Sequence, residues 1–111
     1  MQVKVLDNIQ IEKRPGCVAQ ALAIVGNKWT ALIVKELSGG CARFSSLQAA
    51  LPGISPRTLS QRLDEMEQKN LITKKIFAEV PPRVEYTLTQ KGRDLLPILE
   101  SMAAWGDKYY K

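Results

Sequence analysis

Apolar side chains recur along most of this chain with a helical period, and over one stretch near residue 75 with a strand period. Val18, Ala21, Leu22 and Val25 fall at i, i+3, i+4 and i+7, the stripe of an amphipathic helix. Gly26 suits the end of that helix, and Asn27 can cap the start of the next. Trp29, Leu32, Ile33 and Leu37 keep helical spacing until Ser38-Gly39-Gly40 stops them. Phe44, Leu47 and Leu51 mark a third, short helix. Pro52-Gly53-Ile54 then turns the chain, and Ser55-Pro56 opens a fourth helix. Serine is a favoured N-cap, and proline at the first helical position leaves no hydrogen bond unmade. Leu59, Leu63 and Met66 are the buried stripe of this fourth helix. Two helices joined by a tight, glycine-containing turn form a helix-turn-helix.

After Asn70 the period falls to two. Ile72, Lys74, Ile76 and Ala78 alternate with Thr73, Lys75 and Phe77, and Val84, Tyr86 and Leu88 alternate again beyond Glu79-Val80-Pro81-Pro82-Arg83. This predicts a hairpin, with the tandem prolines excluding the tightest primed turns. From Thr89 to Lys111 the helical period returns in two adjacent stripes. Leu95, Ile98, Met102, Trp105 and Tyr109 form one; Leu96, Leu99, Ala103, Gly106 and Tyr110 form the other. A small domain covers one stripe with its own core, so the second is expected to meet another copy of the chain. That places a dimer interface at Leu95, Ile98, Leu99, Met102, Trp105 and Tyr109; the alternative is a helix buried within the monomer. Pro97 should kink this segment or mark a junction within it.

The expected fold is mainly α with a small β-hairpin wing, a winged helix-turn-helix whose terminal helices form a dimer interface. Residues 1–16 are expected to be an arm or dimerisation segment, extended or helical. Residues 17–111 form the winged domain, with its dimerisation helix at about 90–110.

Composition narrows the function. At 111 residues, 45% hydrophobic, the chain supports one domain with a packed core. No apolar run approaches the ~20 residues of a membrane span. The start, Met1-Gln2-Val3-Lys4-Val5-Leu6-Asp7, lacks the pattern of a signal peptide, so a cytoplasmic location without a membrane partner is expected. There is no histidine, the commonest general base and metal ligand. Cys17 and Cys41 alone cannot complete a four-ligand zinc site. Glycine-rich phosphate loops are absent from the sequence. No catalytic residue, metal site or cofactor is nominated, and an enzyme is not expected.

The net charge is +5, from 16 basic and 11 acidic residues, which is compatible with a polyanionic partner. Its distribution says more. Arg43, Arg57 and Arg62 are the only charges between residues 41 and 63, and the acids Asp64, Glu65 and Glu67 follow at once. On a wheel of the fourth helix the apolar stripe spans about 60° of arc. Arg57 and Gln61 lie opposite it, with Thr58 and Ser60 on the flanks of the first two turns. All four can donate hydrogen bonds. Arginine pairs with guanine, glutamine with adenine, and threonine offers a hydroxyl and a methyl to thymine. This polarity fits a helix inserted into DNA by its N-terminal end, where the amides near Ser55 also suit a phosphate. Arg62, at the edge of the core, is a weaker candidate for backbone phosphate. On the wing, Arg83 follows two rigid prolines and could reach a minor groove or a phosphate. The plain alternative is an ordinary solvated basic surface.

Several strings together resemble the HxlR-type transcriptional regulators, small MarR-like winged-helix proteins of bacteria. They are Gly26-Asn27-Lys28-Trp29-Thr30, Arg43-Phe44-Ser45-Ser46-Leu47, the run from Leu51 to Leu63, and Pro81-Pro82-Arg83-Val84-Glu85-Tyr86-Thr87-Leu88-Thr89. Leu95-Leu96-Pro97 and Trp105-Gly106 extend the likeness, which covers about residues 17–106. The resemblance implies a homodimer on an inverted-repeat, double-stranded operator. Its recognition helix would fall on Ser55 to Lys69 and its wing on Ile72 to Leu88. It also implies a redox role for Cys17, at the position of a cysteine that serves some members as a switch, with an oxidant or small molecule as effector. The other reading of Cys17 is a small buried hydrophobe. A winged-helix protein-interaction module, with an incidental basic face, is the competing function.

Overall fold

The computed structural model describes residues 18–110. Helices α1 (Val18–Val25) and α2 (Lys28–Glu36) lead through a 3-10 turn (Leu37–Gly39) into a short strand β1 (Ala42–Arg43). Helices α3 (Phe44–Ala50) and α4 (Pro56–Gln68) follow, then strands β2 (Ile72–Phe77) and β3 (Arg83–Leu88). A single-turn helix α5 (Gln90–Arg93) and the longer α6 (Leu96–Tyr109) complete the order. The winged helix-turn-helix expected from the pattern is the fold observed.

Local signals act where the sequence puts them. Asn27 caps α2, its Oδ1 accepting the amides of Trp29 (2.9 Å) and Thr30 (3.1 Å). Ser55 caps α4 by accepting the Thr58 amide at 3.0 Å, with Pro56 in the first turn. Gly53, at φ 90, makes the turn between α3 and α4 that a side chain would strain. At the far end of α4, Asn70 takes φ 62. The Leu71 amide then returns to the Met66 carbonyl (2.9 Å) and the Asn70 amide to that of Glu67 (3.0 Å). This is a Schellman cap, closed by the buried contact partners Met66 and Leu71.

Leu59, Leu63 and Met66 are fully buried against Ile33, Val34 and Leu37 of the α2 region and Leu47 of α3. Ile72 and Leu88 bring the base of the wing into the same core. A joint then ties three elements together. The Thr89 amide bonds to the Leu71 carbonyl (3.0 Å), Thr89 Oγ1 to that of Asn70 (2.6 Å) and Lys91 Nζ to that of Lys69 (2.8 Å). Gly92 packs against the same backbone; a Cβ there would collide with the Leu71 carbonyl oxygen.

Four details differ from the pattern. The hairpin is part of a three-stranded antiparallel sheet of order β1-β3-β2, with Ala42 opposite Tyr86 and Arg43 opposite Glu85. The stripe on α1 does not join the core: Val18 and Leu22 are exposed and Val25 alone is buried. The segment from Thr89 is two helices, and Pro97 lies in the first turn of α6. There its missing amide costs nothing, so the junction reading of Pro97 holds and the kink does not occur. Finally, the two C-terminal stripes do not separate cleanly. Leu95, Leu96 and Leu99 pack partly on the core, whereas Ile98, Met102, Trp105, Tyr109 and Tyr110 are exposed.

Candidate nucleic-acid interface

The core stripe of α4 fixes what its other face presents. With Leu59, Leu63 and Met66 turned inward, Arg57, Ser60, Gln61 and Asp64 are exposed. Among the described residues, the side chains of Arg57, Ser60 and Gln61 have no hydrogen-bond or ion-pair partner. Ser55 and Thr58 are partly committed: Ser55 Oγ donates to Thr58 Oγ1 at 2.9 Å while accepting the Thr58 amide. Thr58 is half-buried rather than fully outward. The open donors of the first two turns are thus Arg57, Ser60 and Gln61.

Arg62 points elsewhere. Its guanidinium meets Glu65 at 2.8 Å and lines a cavity of about 80 Å³ with Asn27 and Thr30, between α4 and the α1–α2 turn. The acids in the second half of α4 are largely engaged, Glu65 by Arg62 and Glu67 by Lys74 of β2 at 3.8 Å. Lys74 shares a register position with Tyr86, whose hydroxyl is pushed up from its ordinary value by burial, then by Asp64 and Glu67. The even-numbered face of the hairpin therefore turns toward α4.

The odd-numbered face carries Lys75, Phe77, Arg83 and Glu85. Lys75 Nζ stands 5.1 Å from the Phe77 ring centroid and the Arg83 guanidinium 4.0 Å from it. Arg83 Nη1 lies 3.2 Å from Glu79, and its buried Nε lies 3.2 Å from Glu85 in a charge contact without hydrogen-bond geometry. Arg83, read from the sequence as able to reach a minor groove or a phosphate, is held between these two carboxylates.

Arg43 was missed as an individual candidate. It is exposed on β1, opposite Glu85, and lines a groove of about 470 Å³ with Ser45 and the wing tip. A two-residue strand is too short to show a period, which is why the pattern gave no signal there. Cys41 is an exposed free thiol. Cys17 and the arm at 1–16 lie outside the described residues. Among the described residues, no helix is long and apolar enough to cross a membrane.

A helix-turn-helix with an open donor face on its second helix, flanked by a three-stranded wing, defines a winged helix-turn-helix transcriptional regulator. The chain belongs to the HxlR-like helix-turn-helix family, whose sequence profile matches residues 24–111. It is 42% identical over 90 residues to the HTH-type transcriptional regulator YvaP of Bacillus subtilis, covering 81% of this chain and 83% of that one. A solved MarR-family transcriptional regulator from Porphyromonas gingivalis superposes with a TM-score of 0.80 at 39% identity, covering 87% of this chain and 96% of the other. The oxidised form of the redox regulator HypR superposes with a TM-score of 0.78 at 33% identity, covering 85% and 97%.

Proposed function

We propose that the chain works as a homodimer that reads an inverted-repeat DNA operator through the N-terminal half of α4. The observation carrying this reading is the unpartnered, acid-free donor set Arg57, Ser60 and Gln61. Its acids come later on the helix and, Asp64 apart, are occupied. A helix presented end-on keeps those carboxylates off the phosphates. In the dimer, α4 and its mate would enter successive major grooves about 34 Å apart. The amides near Ser55 would anchor a phosphate, with Thr58 at the margin of the base contacts.

Selection of sites from a random duplex pool tests this. An enriched inverted repeat, with half-sites about one helical turn apart, is the expected outcome. Retention of duplex without any enriched motif would favour the protein-interaction module. On the enriched site, Arg57→Ala or Gln61→Ala is expected to cost roughly 1–3 kcal/mol and to relax preference at the contacted base. Equal loss on every sequence would make those side chains phosphate ligands.

A thiol response through Cys17 is a second element of the proposal, supported by the likeness to HypR, which is itself a redox regulator. Oxidant should lower or raise operator affinity of the wild type and leave a Cys17→Ser variant unmoved. The same response in both proteins would dismiss Cys17 as the sensor. A small-molecule effector would be an alternative input.

A further inference from the structure

Arg83 is held by three neighbours on the wing. Glu79 and Glu85 each stand 3.2 Å from its guanidinium, whose carbon lies over Phe77 at 4.0 Å from the ring centroid. One positive charge is thereby matched by two negative ones, at the edge of the groove that runs between the wing tip and Arg43. As long as the arginine stays between those carboxylates, its guanidinium is occupied and is not offered to a phosphate. Yet the Glu79 pair is partly open to water, Glu79 being about half exposed, and an ion pair of that kind is weak enough for a competing anion to displace. The Glu85 contact is more enclosed but lacks hydrogen-bond geometry. Two neighbours limit the disturbance when Arg83 leaves. Lys75 already stands by the same ring, and Arg43, which has no ion pair among the described residues, is the cross-strand partner of Glu85.

We propose that Glu79 and Glu85 act as an electrostatic brake on the wing, holding Arg83 until a DNA phosphate takes their place. This rests on the reading of the wing as a DNA contact. Wing engagement is then an exchange of one anionic partner for another, and the carboxylates set how strongly the wing adds to binding by α4. The opposite arrangement is a cross-brace, in which Arg83 stiffens the tip and never leaves its carboxylates.

The test uses Glu79→Gln, Arg83→Gln and the double variant, each checked by denaturation to be folded. Each is titrated over a range of salt onto two labelled duplexes, the selected operator and a random-sequence duplex. With a brake, Glu79→Gln tightens binding roughly two- to fivefold, the size expected of a partly exposed ion pair. The salt dependence steepens by up to about 0.9 in log–log slope, one phosphate's share. In the Arg83→Gln background that gain shrinks, because no arginine remains to be released. If Glu79 merely repelled DNA, the gain would be equal or larger without Arg83, and the brake would be refuted. Unchanged or weaker binding by Glu79→Gln alone indicates the cross-brace and refutes it too. A wild type that binds neither duplex removes the DNA reading itself along with the brake; one that binds without this coupling removes the brake alone.

Discussion

Replacing Trp105 by glutamate is expected to turn a dimer into a monomer and to reduce affinity for a full inverted repeat to that for a half-site. The expectation follows from what α6 leaves uncovered. Ile98 is 44% exposed, Met102 49%, Trp105 60% and Tyr109 59%, and they follow one another along a single face. The Trp105 ring centroid lies 5.3 Å from that of Tyr109 and 5.6 Å from that of Tyr110, tilted by 48° and 44°, so these rings already form one apolar plate of tilted rings. Fully burying a side chain of this kind contributes about 1.5–3 kcal/mol, of which roughly half remains to be gained at these half-exposed positions, and a two-fold interface uses every one of them twice. A carboxylate in the middle of that plate would be desolvated without a partner. Light scattering at micromolar concentration reads the assembly state. A Trp105→Glu protein that stays dimeric would place the interface elsewhere. Val80, fully exposed at the wing tip, supplies the control: Val80→Glu should leave assembly unchanged.

The second large effect concerns stability. Gly92→Ala is expected to destabilise the domain by about 2–4 kcal/mol, combining overpacking with a strained buried hydrogen bond. The added methyl would strike the Leu71 carbonyl oxygen and lie 3.0 Å from Leu88 Cδ2. Leucine can shift its methyl group, but the carbonyl is held by the Thr89 amide. Something in the joint must therefore open. Gly39→Ala is the comparison, because a Cβ there meets nothing within 4 Å; its effect should stay within about 0.5 kcal/mol. Urea denaturation of the two variants decides the matter. Equal midpoints would mean that α5 moves aside freely.

Much of the scaffold was legible because local and tertiary preferences agree in it. The Leu59–Leu63–Met66 stripe, the caps at Asn27 and Ser55 and the alternation around the proline-rich tip each specify a conformation by themselves. All reappear in the structure. What escaped depends on pieces of chain far apart. β1 exists only because residues 42–43 find residues 85–86. The α1 stripe has the right period, but periodicity says that a face is apolar, not what covers it. Arg57, Ser60 and Gln61 could be placed by counting along one helix. Arg83 could not, since its state depends on Glu79, Glu85 and Phe77 approaching it through the fold of the hairpin.

The joint beneath the wing has a consequence for how such a sequence can drift. Its acceptors are the main-chain carbonyls of Lys69, Asn70 and Leu71. Every amino acid carries that group, so the hydrogen bonds themselves ask nothing of the side chains at those acceptor positions. For these bonds the side-chain demands fall on the other side of the joint: a hydroxyl at Thr89, a long basic arm at Lys91 and no side chain at all at Gly92. On the acceptor side only the positive φ of Asn70 and the burial of Leu71 restrict the residue. Substitutions elsewhere on the surface can thus change what the exposed face of α4 presents while the angle between α4, the wing and α6 is kept.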